Sequence, residues 1–322
     1  QYAATRQLAA DYPDLVRVET IGATRAGSPI ELITIGTGDQ NVLAFGGPHP
    51  NEPIGCLSID FLTRYLCQNP ALREELGYQW HFIRCLDIDG MRLNEGWFRG
   101  PFMPLDYYSG MFRPLMNEQP EMLFPIEYKT FKFDRPFPET VALKSAIDRL
   151  QPRLMLSLHN SEFGGVYYYI SRRLDAVFPL FNQIPGWFDL ALDLGEPDQA
   201  GYIEQYAPAI YRTITVKDGY ERRLAQGMDN PAKNVTWGGT SNEYAEERYG
   251  TLTQLVEVPF WTEPRINDGT LTSVSRRRIF SEMIDRQESF FTLLQQMYGR
   301  VEADLTLDTP IRRAVADRLN FY

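Results

Sequence analysis

Val42-Leu43-Ala44-Phe45 has no polar face. In a strand, successive side chains point to opposite sides, so an uninterrupted apolar run must be covered on both. Leu154-Met155-Leu156 and Leu255-Val256 repeat the pattern later in the chain. Such strands require a sheet sandwiched between helices, and the intervening segments read as helices at Ile54–Cys67, Glu139–Leu150 and Ser275–Tyr298. Further strands are expected at Leu15–Thr20, Ile30–Ile35, Trp80–Leu86, Val166–Ile170, Tyr211–Val216 and Leu252–Val258, with a short helix at Tyr2–Ala10. The expectation is an α/β fold: one domain over residues 1–300 with a mixed sheet of about eight strands flanked by helices. Val301–Tyr322 then adds a helical extension. Ser171–Gly201 reads as helix and loop. Met91–Pro138 is crowded with Gly, Pro and aromatics and keeps no period, which in a compact domain points to function.

Composition narrows the function. With 32 Lys+Arg against 42 Asp+Glu, the chain carries a formal charge of −10, a poor match to a phosphate backbone, so nucleic acid is not an expected partner. The basic run Arg276-Arg277-Arg278 is read as a solvated helix face. No apolar run reaches the roughly 18 residues a spanning helix needs, so no membrane is expected either. Cys56, Cys67 and Cys85 show no paired spacing, which suits reduced thiols and a cytoplasmic location. No secretory signal is visible, although a start at Gln1 without an initiator Met is compatible with a processed or exported form.

There are only three histidines, His49, His81 and His159. His49 and Glu52 follow Val42–Phe45 and the turn Gly46-Gly47-Pro48, at the carboxyl end of a buried strand, where α/β sheets build their sites. A His-x-x-Glu pair there offers nitrogen and oxygen ligands to a metal, or equally caps the next helix. His159 ends the apolar run Leu154–Leu158 in the same way. His81, inside Trp80-His81-Phe82-Ile83, is read as structural. Glu257 interrupts an apolar strand, a costly place for a carboxylate unless it serves a polar site or pairs with an arginine. A general base acting on water beside a metal would be such a use.

His49-Pro50-Asn51-Glu52, Asp89-Gly90, Pro136-Phe137-Pro138-Glu139-Thr140, Ser157-Leu158-His159 and Leu255-Val256-Glu257 stand in the order found in zinc carboxypeptidases of the carboxypeptidase A-like type (peptidase family M14). The chain resembles that family over roughly residues 1–295. The resemblance implies one zinc held by His49, Glu52 and His159, Glu257 as general base, and a mixed eight-stranded sheet. It departs from the family in lacking an Asn-Arg dipeptide between Gly90 and Glu139, which would hold a terminal carboxylate. Arg113 is the expected replacement, and Arg99, ahead of Arg92, the arginine expected at the scissile carbonyl. Asn94 and Asn242 are expected substrate contacts. Asn234 stands nearest the family's substrate tyrosine, with Tyr244 or Tyr249 as stand-ins. The implied substrate is a peptide. The alternatives are an acylated amino acid, as for succinylglutamate desuccinylase or aspartoacylase, and a non-catalytic binding domain.

Overall fold

The computed structural model describes residues 1–195, 203–263 and 265–321. Two compact units are present, residues 1–112 with 116–267, and residues 113–115 with 268–322. The long C-terminal helix therefore belongs to the second unit, whereas the sequence groups it with the catalytic domain.

The first unit opens with helix α1 (Tyr2–Asp11) and strands β1 (Val16–Ala23), β2 (Pro29–Ile35) and β3 (Gln40–Gly46). Helices α2 (Ile54–Gln68) and α3 (Pro70–Leu76), strand β4 (Tyr78–Ile83) and helices α4 (Ile88–Leu93) and α5 (Pro104–Gly110) follow. A small hairpin of β5 (Ile126–Tyr128) and β6 (Phe131–Phe133) precedes α6 (Pro138–Leu150), β7 (Leu154–Gly164), β8 (Tyr167–Ile170) and α7 (Phe178–Gln183). The unit closes with β9 (Gln205–Ala207), β10 (Ile210–Arg212), α8 (Val216–Ala225), α9 (Ser241–Tyr249) and β11 (Leu252–Thr262).

Among the described residues, nine strands form one mixed sheet in the order β1-β2-β4-β3-β7-β11-β8-β10-β9. The short edge strand β9, the hairpin, and helices α3, α4, α5, α8 and α9 are additions to the expected elements. Val216 starts α8 instead of ending a strand, because Thr215 and Asp218 form a capping box there. The last residues of the Ser171–Gly201 segment, and Tyr322, lie outside the described residues.

The sheet is covered on both faces, as its apolar strands demand. Leu43 and Phe45 pack with Leu143 and Ile147 of α6 and Ala245 of α9. Ala44, between them, packs on the opposite face with Ile59 and Leu66 of α2 and Leu8 of α1. The central strands β3, β7 and β11 run parallel; β3 stops at Gly46 opposite Leu158, while β7 and β11 stay paired on to Gly164 and Thr262. Two glycines bring α2 against the end of β3 and the middle of β7. A Cβ on Gly46 would lie 2.5 Å from the carbonyl carbon of Gly55, and one on Gly55 would lie 2.7 Å from the Leu158 oxygen. Only glycine permits this approach of helix to strand.

His81 has the structural role read from its position. Thr34 Oγ1 lies 3.0 Å from its Nδ1 and Asn41 Oδ1 lies 2.9 Å from its Nε2, so the neutral ring protonated at Nε2 satisfies both partners. Burial, with Arg149 nearby, lowers its pKa from 6.5 to about 4. The unfolded chain then binds the extra proton first. Stability from this site is complete above about pH 6.5 and is lost as pH falls toward 4, on the order of 2 kcal/mol after allowing for solvent screening. Denaturant midpoints measured between pH 7 and pH 4 should fall less steeply for His81→Gln than for wild type. Parallel slopes would remove His81 from the acid response.

The second unit contains α10 (Arg276–Val301) and α11 (Pro310–Phe321). Ser275 Oγ caps α10 by accepting the Arg278 N–H at 3.2 Å. Arg276-Arg277-Arg278 form the first turn of α10, where Arg278 pairs with Glu282 along the helix. No helix of the described residues is long and apolar enough to cross a membrane.

Candidate metal centre

β3 ends at Gly46, and the loop Gly47–Pro53 turns the chain into α2. β7 runs beside β3 with Leu158 opposite Gly46, so His159 sits just past the last paired residue. His49 and Glu52 reach it from the loop. The Nδ1 atoms of His49 and His159 are 3.2 Å apart. Glu52 Oε1 lies 3.0 Å from the first and Glu52 Oε2 lies 2.9 Å from the second. Two nitrogens on a tetrahedral zinc, each at 2.0–2.1 Å from it, would stand about 3.3 Å apart. The residues present therefore fit a zinc ion, with both imidazole nitrogens and a carboxylate already converged.

The other nitrogen of His159 faces a second carboxylate. Nε2 lies 3.3 Å from Glu121 Oε2 and 2.6 Å from Ser157 Oγ. Ser157 and Ser241 donate hydroxyls to Glu121 Oε1 at 2.9 and 3.0 Å. His49, Glu121 and His159 offer ligand atoms within 4.8 Å of one another, a group that could hold a metal ion. Burial alone would keep His159 neutral, but Glu121 and Glu52 outweigh it and raise its pKa well above the usual range. Burial would likewise raise Glu121, and His159 instead holds it below the usual carboxylate range.

Glu121 was not singled out in the sequence. It sits in the unperiodic stretch, in a 3-10 turn (Pro120–Met122), and no local pattern marks its pairing with a distant strand. Asn160 was also missed. Its Oδ1 accepts the Ile54 N–H at the start of α2 at 3.1 Å, and its Nδ2 donates to Val258 O at 2.9 Å, tying α2, β7 and β11 together beside the histidines.

Glu257 pairs in register with His159 across the parallel β7–β11 ladder, so the two side chains lie on one face of the sheet, one strand spacing apart. It is partly exposed. The remaining expected residues are more scattered. Asn94 is fully buried and its amide is bonded internally. Its Nδ2 donates to Gly90 O and Phe112 O, and its Oδ1 accepts from Trp97 Nε1 and the Phe112 N–H. It organises the loop between α4 and Phe112. Arg99 is the exposed last residue of a 3-10 turn (Trp97–Arg99) whose Trp97 is buried. Arg92 is tied to Ser28 Oγ at 2.8 Å. Arg113 belongs to the second unit. Asn242 is buried in the first turn of α9, and its Oδ1 has no hydrogen-bond partner among the described residues. Tyr244 and Tyr249 both donate to Asp148 Oδ1, at 2.6 and 2.7 Å, and are spent on packing α9 against α6. Asn234 occupies a left-handed turn with φ of 66°. The Asp89 motif is likewise architectural: its carboxylate accepts from Thr24 Oγ1 and the Ala26 N–H, both at 2.9 Å.

Residues 1–100 match the zinc carboxypeptidase family, Peptidase M14. A search of curated proteins returns no match. Crystal structures of provisionally assigned metallopeptidases share the fold. That from Shewanella amazonensis SB2B has a TM-score of 0.54 at 13% identity, covering 80% of this chain and 83% of the other. That from Shewanella baltica OS155 gives 0.53 at 12%, covering 80% and 82%. That from Shewanella denitrificans OS217 gives 0.50 at 14%, covering 80% of each. The chain is thus zinc carboxypeptidase-like in the sequence of residues 1–100 and shares its fold with these metallopeptidase structures.

Proposed function

We propose that the protein is a zinc-dependent hydrolase of peptide (amide) bonds, of metallocarboxypeptidase type. The observation that carries this reading is the convergence of both Nδ1 atoms on the two oxygens of Glu52, with Glu257 in register beside His159. His49, Glu52 and His159 would hold the ion. Glu121 would act on His159 from behind, fixing the ring through Nε2 as metal-bound histidines commonly require. A bound zinc polarises a carbonyl and acidifies water.

The chain's own residues do the rest. Glu257, midway along β11 and opposite His159, takes a proton from the attacking water and delivers it to the departing nitrogen. Arg99 is the arginine assigned to the charge that develops on the carbonyl oxygen. Arg113 is assigned to a terminal carboxylate, and Asn242, through its unpartnered Oδ1, to the substrate side chain. The free thiols support a cytoplasmic setting.

A substrate panel tests the assignment. The zinc-loaded protein should cleave peptides with a free terminal carboxylate at least tenfold faster than their amidated counterparts. Equal rates would remove Arg113 from the mechanism and with it the carboxypeptidase type. Hydrolysis confined to N-acyl amino acids would replace the peptidase reading with a deacylase.

A further inference from the structure

The metal loop rests on a pair of thiols that the proposed reaction does not use. Cys56 lies in the first turn of α2, shortly after Glu52, and Cys85 follows β4. Far apart in sequence, they meet beneath Gly47. A Cβ built on Gly47 would lie 2.9 Å from Cys85 Sγ, 3.2 Å from Cys56 Sγ and 2.8 Å from the Met91 methyl. Cys56 packs against the buried Cys85 in the same apolar cluster, and that neighbour, with burial, pushes the Cys85 thiol up. The Cys85 segment is also bonded directly to the approach to His49: Leu86 N–H donates to Gly46 O, and Asp87 N–H to Gly47 O, both at 2.9 Å. The loop carrying His49 and Glu52 is thus anchored at each end to a segment bearing a thiol. Cys67, on the other face of the sheet, is not part of this pair.

We propose that Cys56 and Cys85 are an oxidative modification site, closing to an intramolecular disulfide by exchange with a low-molecular-weight disulfide of the glutathione class. Cys56 is partly exposed and Cys85 buried, so Cys56 reacts first. Its thiolate, having lost a proton to solvent, attacks one sulfur of the small disulfide and expels a thiolate, which takes up a proton. Cys85 then gives up its proton and attacks the Cys56 sulfur of the mixed disulfide, releasing the second small thiol. Two electrons pass to the reagent, which leaves as two thiols. The second step is intramolecular between adjacent groups, which compensates for the weak acidity of a buried thiol. A disulfide holds its sulfurs about 2 Å apart, well inside the contact distance of two free thiols, so closure draws the first turn of α2 toward the Cys85 segment. Gly47 lies against both sulfurs, and Glu52 and His49 move with the elements that carry them.

The test uses the full, folded chain with glutathione disulfide, followed by proteolysis and mass spectrometry without reduction. A Cys56–Cys85 cross-link lacking two hydrogens, reversed by dithiothreitol and with Cys67 unmodified, is the expected product. Cys85→Ser should stop at a glutathione adduct on Cys56. Wild type that halts at this adduct, stays unmodified while circular dichroism shows the native fold, or cross-links only after denaturation overturns the proposal. Chelator competition then reads the coupling, with at least tenfold weaker zinc retention expected in the cross-linked chain. Unchanged retention would leave the modification without its link to the loop, whereas a reduced chain that never binds zinc would fault the metal assignment and not the thiol pair.

Discussion

Glu257→Gln is expected to bind zinc as wild type does and to lose hydrolysis by on the order of 10³-fold, with the loss in kcat and little change in KM. The amide is nearly isosteric with the carboxylate and keeps its place on β11, opposite His159 in the ladder. What it cannot do is accept a proton. A group that acts only as the proton is moved leaves ground-state binding untouched, so the loss should not be recovered at high substrate concentration. Turnover near wild type would end the assignment of Glu257 as general base. Loss of zinc together with activity would instead place Glu257 among the groups that hold the ion.

The second large effect concerns the ion. Replacing His49 and His159 together by Ala should abolish zinc binding, measured as metal per chain after dialysis, where wild type retains about one. Removal of His159 also leaves Glu52 and Glu121 facing a cavity without the ring that separates them, which favours unfolding. His49→Ala alone is the variant to read when folding is in doubt, since His49 is partly exposed. The two carboxylates are separated by the same assay. Glu52 touches the Nδ1 pair, whereas Glu121 meets His159 at the far nitrogen, Nε2, and is held there by Ser157 and Ser241. Glu52→Ala should therefore match the histidine variants, and Glu121→Gln should weaken zinc binding about 10–100-fold without abolishing it. The reverse ranking would move the ion to the Nε2 side of His159.

Much of this was legible because it is local. A strand without a polar face announces burial on both sides, and Val42–Phe45 does divide its side chains between two cores. A histidine immediately after such a strand is expected at the sheet's end; His49 is there, after β3, whereas His159 lies midway along β7, which runs on to Gly164 beyond the end of β3. The mixed sheet exceeds the expected eight strands by one, the edge strand β9, whose three residues are too few to show alternation. Helix α9 escaped for another reason: Ser241–Tyr249 is rich in charge, with Asn242 and Glu243 buried, so no apolar stripe marks its inner face.

The amino-acid order by itself determined the layered sheet, the strand end that carries His49, the strands that carry His159 and Glu257, and the structural character of His81. Each follows from side-chain periodicity or from the cost of burying a polar group within a few residues. Only the tertiary structure decided that Glu121 stands behind His159, that Asn94 is spent on its own loop, and that Cys56 and Cys85 are neighbours. Those pairings depend on strand order and on the close approach of α2 to the sheet. They join residues whose separation along the chain carries no period, and backbone packing alone brings them together.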